Sequence, residues 1–319
     1  MSLLNDTKVF LLDGGLSNDL NNRVPFDLHK EPLWTAKALI TDPDAVVATH
    51  LEYLQAGADI IETSSYQATL EGFKDFMKVD SDSGKKYIRD SVTLAKVAVD
   101  KFKALDESCS RFPLVAGSIG PYGVLRCDGS EYSGSYMTTV TKSEIEDMHL
   151  PRIMSLVDGG ADILAIETMP SLEEVKIILD LVKLHSPNTN VWVSFSIKEG
   201  KPCQTAFGDP MEDAFKTVAT YAQVVACGIN CCMPKDVETF LKNVKVYKAI
   251  RPLEIIVYPN SGQDWVPGQG WIKSPVPTLD TYLSSWISLG ANIVGGCCQV
   301  GPDQIKTMRS IVDKHNNEN

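Results

Sequence analysis

The sequence predicts an α/β protein built as a single (β/α)8 barrel of the TIM type. Three observations lead there: eight short apolar runs spread along 319 residues, a helical pattern after each run, and a helix-to-strand junction that recurs three times. The strand-like runs fall at residues 9–13, 59–63, 114–117, 162–167, 191–196, 224–230, 254–258 and 292–295. Most are rich in Val, Ile, Leu and Ala, as strands covered on both faces of a parallel sheet require. Alternation of strand and helix over this length is the pattern of a barrel.

The helices carry their own signals. Pro43 stands where a first turn tolerates proline, ahead of an apolar pattern that runs to Leu54. Ser143 with Glu146 and Ser171 with Glu174 have the spacing of a capping box. The junctions Gly57-Ala58-Asp59-Ile60, Gly160-Ala161-Asp162-Ile163 and Gly290-Ala291-Asn292-Ile293 each put glycine where a helix closes in the left-handed conformation. Two connections, 119–142 and 260–277, are longer than an ordinary βα loop. Both leave the C-terminal ends of strands, the face on which barrel active sites lie, so both are expected to wall or cover a site. No change of composition divides the chain, and residues 1–319 read as one domain.

Composition excludes several classes of function. The chain is 44% hydrophobic and 22% charged, enough for an ample core, and its formal charge is −11. That balance argues against nucleic acid, which needs clustered cations. No apolar run reaches membrane-spanning length, so no membrane partner is expected. Asn5, Asp6 and Lys8 interrupt the N-terminal apolar residues, which excludes a signal peptide from the reading and makes the expected location cytoplasmic. In a reducing compartment the eight cysteines are thiols or metal ligands. The five histidines show no ligand-like spacing and are read as non-catalytic.

Cys231 falls at the end of the sixth run; Cys297 and Cys298 fall at the end of the eighth. In a barrel those ends share one rim, so thiols remote in sequence can converge. Thiolates favour zinc, and three protein ligands leave a fourth position open for water or substrate. Cysteine is also among the most buried residue types, and position alone leaves simple packing open as a second reading. Neighbouring cysteines can both face one point only where the backbone leaves strand geometry, and Gly295-Gly296 is expected to supply that freedom. Cys109, Cys127, Cys203 and Cys227 read as structural, and Cys232 as packed.

Seven stretches together give a resemblance. They are Asp13-Gly-Gly15, residues 57–69 (GADIIETSSYQAT), Gly117-Ser-Ile-Gly-Pro121, Ile166-Glu-Thr168, Gly228-Ile-Asn-Cys231, Tyr258-Pro-Asn-Ser-Gly262 and Gly295-Gly-Cys-Cys298. On these the chain resembles the homocysteine S-methyltransferase family across residues 13 to 298. One departure is Leu16-Ser-Asn-Asp-Leu20, which lacks the threonine common there. The resemblance implies Zn2+ bound by Cys231, Cys297 and Cys298, with Asp13 and Glu167 on the amine of homocysteine. It assigns Asn230 and backbone amides near Gly14 to the polar end of that substrate. It implies S-methylmethionine or S-adenosylmethionine as methyl donor, methionine as product, and a monomer whose partners are small molecules. Betaine or another donor, and a selenol or other thiol acceptor, are the alternatives within the family.

The chemistry agrees with sulfur ligands. A free thiol titrates near ~8.5, whereas a metal-bound thiol is deprotonated outright. Three thiolates on Zn2+ leave an excess negative charge that grows when a substrate thiolate joins, which keeps the substrate sulfur able to attack a methyl carbon. A cationic donor suits an aromatic wall, for which Trp34, Tyr66, Tyr122, Trp265 and Trp271 are candidates. A zinc hydrolase using metal-bound water, or a thiol sensor without turnover, are readings from other classes.

Overall fold

The computed structural model describes residues 8–105, 111–247, 253–266, 270–272 and 275–318, with side chains throughout except at 245–247, 264–266 and 270–272. Residues 1–7, Cys109 and the side chains of Trp265 and Trp271 therefore lie outside the described residues.

Each expected run contains a strand: β1 Phe10–Leu11, β2 Ile60–Glu62, β3 Leu114–Ile119, β4 Ile163–Met169, β5 Val191–Phe195, β6 Val224–Asn230, β7 Glu254–Tyr258 and β8 Ile293–Val294. They form one sheet in the order β1-β8-β7-β6-β5-β4-β3-β2. Its neighbours are parallel, for example Phe10 with Ile293 and Asn230 with Tyr258. A parallel bridge between Leu12 and Ile60 joins the two ends. The main covering helices are α1 Pro43–Ala56, α2 Ser81–Leu105, α3 Lys142–Asp158, α4 Leu172–His185, α5 Met211–Val218, α6 Pro234–Tyr247, α7 Asp280–Ser288 and α8 Pro302–Glu318. The fold is the (β/α)8 barrel the sequence predicts. Among the described residues no helix is long and apolar enough to cross a membrane.

Side chains alternate along a strand, so each strand sends every second residue inward. Leu12, Ile60, Ala116, Ile163, Ala165, Trp192, Ala226, Ile256 and Ile293 form a buried cluster of their own inside the barrel, apart from the larger core beneath the helices. Further along the strands, the same alternation delivers Glu62, Ser118, Glu167, Ser194, Asn230 and Tyr258 toward the C-terminal mouth. An apolar plug thus carries a polar layer. That layer is the floor of the site.

The recurring junction does more than end helices. Gly57, Gly160 and Gly290 have φ of +116°, +80° and +103°. The amides of Ala58, Ala161 and Ala291 donate to Tyr53, Leu156 and Trp286, five residues back, which completes a Schellman closure. The next side chain reaches sideways: Asp59 accepts from Leu11 N at 2.9 Å, Asp162 from Val115 N at 2.8 Å and Asn292 from Ile255 N at 3.1 Å. Each acid or amide thereby ties its strand to the start of the strand beside it.

The capping boxes come out differently from the sequence reading. The box at α3 is Thr141 with Glu144, one pair earlier than Ser143 with Glu146. Ser171 does cap α4, accepting from Glu173 N, but Glu174 turns into the core instead of closing a box. Of the two long connections, the one after β3 folds into three short 3-10 turns, Tyr122–Leu125, Ser130–Tyr132 and Ser135–Thr138. The one after β7 contains an antiparallel ribbon, Asp264–Val266 with Gly270–Ile272. A second ribbon, Ile197–Lys198 with Lys201–Thr205, follows β5 and has no counterpart in the sequence reading.

Candidate active site

A cleft opens at the C-terminal mouth. It is lined by Asp13, Gly14, Gly15, Leu16, Trp34, Thr35, Glu62, Thr63, Tyr66, Ser118, Tyr132, Glu167, Thr168, Cys231, Gly296, Cys297 and Cys298. Asp13, Gly14, Glu167 and the three cysteines are among them; Asn230 is not.

The thiols of Cys231, Cys297 and Cys298 converge, their sulfurs all within 4.8 Å of one another and Cys231 Sγ 3.8 Å from Cys298 Sγ. Cys232 is buried in the apolar core and takes no part. Cys227 is likewise buried, while Cys127 is exposed and fills no core. Neither Gly295 nor Gly296 has a positive φ. Cys231 does, at +51°, as does Gln299, just past the cysteine pair, at +63°. The two glycines are needed for space: a Cβ on Gly295 would lie 2.6 Å from Leu12 Cβ, and one on Gly296 2.1 Å from Val300 Cγ1. Strand β7 lies between β6 and β8, and its trailing segment stitches the two cysteine segments together. Cys297 N donates to Pro259 O, Asn260 N to Cys232 O and Ser261 N to Cys298 O. Gly14 and Gly15 follow the same rule of close approach, since a Cβ there would meet Val300 O at 2.2 Å and Cys297 O at 2.6 Å.

The same cleft holds three carboxyls, Asp13, Glu62 and Glu167. Asp13 and Glu167 are 1% and 6% exposed. Asp13 Oδ2 accepts from Glu62 N, and the Ser118 hydroxyl donates to Glu167. Asp13 Oδ1 and Glu62 Oε1 are buried without a hydrogen-bond partner. Burial, then the charge of Glu167 and of Cys297, holds Asp13 well above the usual carboxylate range. Burial and the charges of Glu167 and Asp13 do the same to Glu62. Burial pushes Glu167 up to about 8, against the Ser118 hydrogen bond, which favours the ionised form. A group of buried carboxyls with empty acceptors is costly unless a cation completes it.

Asn230 stands behind the cleft wall. It is fully buried, its Oδ1 accepting from Thr168 N and Ser194 Oγ and its Nδ2 donating to Thr168 Oγ1. Thr168 lines the cleft with φ +57°, a conformation unfavourable for a β-branched residue. The two-point grip of Asn230 holds it there. The aromatic candidates divide. Trp34 and Tyr66 meet edge-on at 6.2 Å in the cleft, whereas Tyr122 packs on Tyr136 outside it. Tyr132 completes the wall. Glu62, Ser118 and Tyr132 escaped the sequence reading, although Glu62 and Ser118 share the inward parity of Ile60 and Ala116.

Fold and cleft together define a barrel enzyme with a thiol cluster at its catalytic mouth, able to hold a metal ion. Residues 10–312 match the homocysteine S-methyltransferase family. The chain is 35% identical to the homocysteine S-methyltransferase of Escherichia coli, over 97% of this chain and 97% of that one. It is 35% identical to betaine-homocysteine S-methyltransferase of Drosophila melanogaster, over 97% and 96%. The metallated form of the E. coli homocysteine methyltransferase MmuM superposes with a TM-score of 0.84 at 34% identity, covering 96% of both chains. The chain belongs to the homocysteine S-methyltransferase family, and it is a methyltransferase.

Proposed function

We propose that this protein transfers a methyl group from S-methylmethionine or S-adenosylmethionine to the thiol of homocysteine, giving methionine, with zinc held by Cys231, Cys297 and Cys298. The convergence of the three sulfurs carries this reading. Tetrahedral zinc with Zn–S bonds of ~2.3 Å sets its sulfurs ~3.8 Å apart. The 3.8 Å between Cys231 and Cys298 fits that ion, and is far too long for a disulfide. When bound, zinc keeps an acceptor thiol deprotonated at neutral pH.

The chain's own residues supply binding and alignment. Asp13, Glu62 and Glu167 form a seat for the ammonium of homocysteine, whose N–H groups would fill the vacant acceptors on Asp13 and Glu62. Gly14 lets the backbone come close to the polar end of the substrate, and Asn230 keeps Thr168 in the wall. Trp34, Tyr66 and Tyr132 line the same cleft as the thiols, where they would meet a cationic donor and exclude water. The carboxyls and the thiols line one cleft, as the two ends of an amino thiol require.

The zinc-loaded protein, given homocysteine and one donor at a time, should make methionine from S-methylmethionine or S-adenosylmethionine. Absence of methionine with every donor overturns the reading. Faster turnover with betaine would move the donor assignment to that alternative.

A further inference from the structure

Arg152 is a buried arginine that forms no ion pair through its hydrogen bonds; all go to neutral acceptors. It is 1% exposed, on α3, and reaches through to the loops above β2 and β3. One nitrogen donates to Gly120 O at 2.9 Å and contacts Met148 Sδ at 3.2 Å. The other donates to Tyr66 O at 2.7 Å and Ser65 O at 3.4 Å. Gly120 lies under the Tyr66 ring, where a Cβ would be 2.8 Å from Tyr66 Cε2. The fork therefore fixes both the backbone of Tyr66 and the surface its ring rests on. Burial lowers the pKa of Arg152 to about 10, so the fork stays charged at neutral pH.

The carboxylate that most favours its charge is Glu174, also fully buried. Glu174 accepts from Tyr122 N, from the Tyr136 hydroxyl and from His149 Nε2, the last at 2.8 Å. Tyr122 and Tyr136 bracket the stretch that carries Tyr132 into the cleft. One buried pair of opposite charges thus holds two of the three aromatic residues of the wall. Neither charge lines the cleft itself.

We propose that Arg152 is a positioning residue for the methyl donor, acting through Tyr66 and, with Glu174, through Tyr132. The inference rests on the proposed placing of the donor against that wall. A planar fork can serve carbonyls from two separate loops at once, and lysine, with one nitrogen, cannot reproduce it although it keeps the charge. The fork makes no hydrogen bond to Asp13, Glu62 or Glu167, the proposed seat of homocysteine.

The test is steady-state kinetics of zinc-loaded Arg152→Lys with homocysteine and S-methylmethionine varied in turn, beside Ile153→Val as a core change of ordinary cost on the same helix. Arg152→Lys should raise the KM of the donor roughly tenfold, well within what an ångström of misplacement costs. Homocysteine KM and zinc content should stay near wild type. Ile153→Val should lower Tm without splitting the two KM values. Equal changes in both KM values, or none, overturn the proposal, as does an Arg152→Lys chain that does not fold, because the residue is then structural. Wild-type protein that makes no methionine from any donor overturns the placing of the donor first, and this inference with it.

Discussion

Acidic side chains stand at both ends of this barrel, and they do opposite things. At the N-terminal end Asp59 and Asp162, with the amide Asn292, each accept a backbone N–H from the neighbouring strand, and Asp59 also pairs with Arg309 at 2.8 Å. At the C-terminal end Asp13, Glu62 and Glu167 are crowded together with two oxygens left without partners. The first set holds strands in register. The second is held by the fold at a cost. Residue type does not separate the sets; satisfaction does.

Four changes break or sharpen this contrast, beginning with the largest. Cys298→Ser should cut methyl transfer by more than ~100-fold, beyond the usual cost of losing an outer-shell partner of a metal. Metal analysis should show zinc falling from about one per chain; unchanged zinc would place the ion elsewhere. Ile163→Ala, low on β4, should cost about 3 kcal/mol by leaving a cavity in the apolar plug. Denaturant unfolding would read the loss, with homocysteine KM unaltered; a shifted KM would mean that plug and polar layer are coupled.

Glu167→Gln, on the same strand at the mouth, should do the reverse. Homocysteine binding should weaken ~10- to 100-fold with the loss of a charged acceptor, yet the ligand-free protein should gain on the order of 2 kcal/mol at pH 8. The sign follows from the raised carboxyls. A folded-state pKa above the unfolded value means that the native state binds more protons. The contribution is therefore complete below the ordinary carboxylate range and is lost as pH rises through about 8, the value at Glu167. Tm of the wild type should decline across that interval, and the decline should be shallower in Glu167→Gln. Equal slopes would show that Glu167 is not raised. Asp162→Ala is the smallest change: about 1 kcal/mol for one hydrogen bond to Val115 N, with substrate binding untouched. A loss of homocysteine affinity there would erase the distinction between the two ends.

Much of this was legible in the sequence because two periodicities carry it. Apolar runs with glycine-bounded junctions place all eight strands, and the cysteines at 231, 297 and 298 fall at two strand ends on one rim. Glu62 was legible in principle, two residues beyond the inward Ile60, but reading it requires knowing which parity faces in. The α3 cap could not be settled locally, since Thr141 with Glu144 and Ser143 with Glu146 have identical spacing. The path of the chain leaving Tyr136 and Thr139 picks the first. Tyr122 has the composition of a wall residue, yet Glu174 takes its amide and Tyr136 its ring.

By itself the sequence determined the barrel, its closures and the residues able to carry sulfur chemistry, because these depend on local period and residue type. Tertiary structure alone decided which groups meet: the left-handed turn at Cys231, the grip of Asn230 on Thr168, the carboxyls gathered at the mouth, and Arg152 reaching beneath two loops. Such contacts join residues far apart in the chain, and their energies exist only once closure of the barrel has brought the strand ends to one mouth.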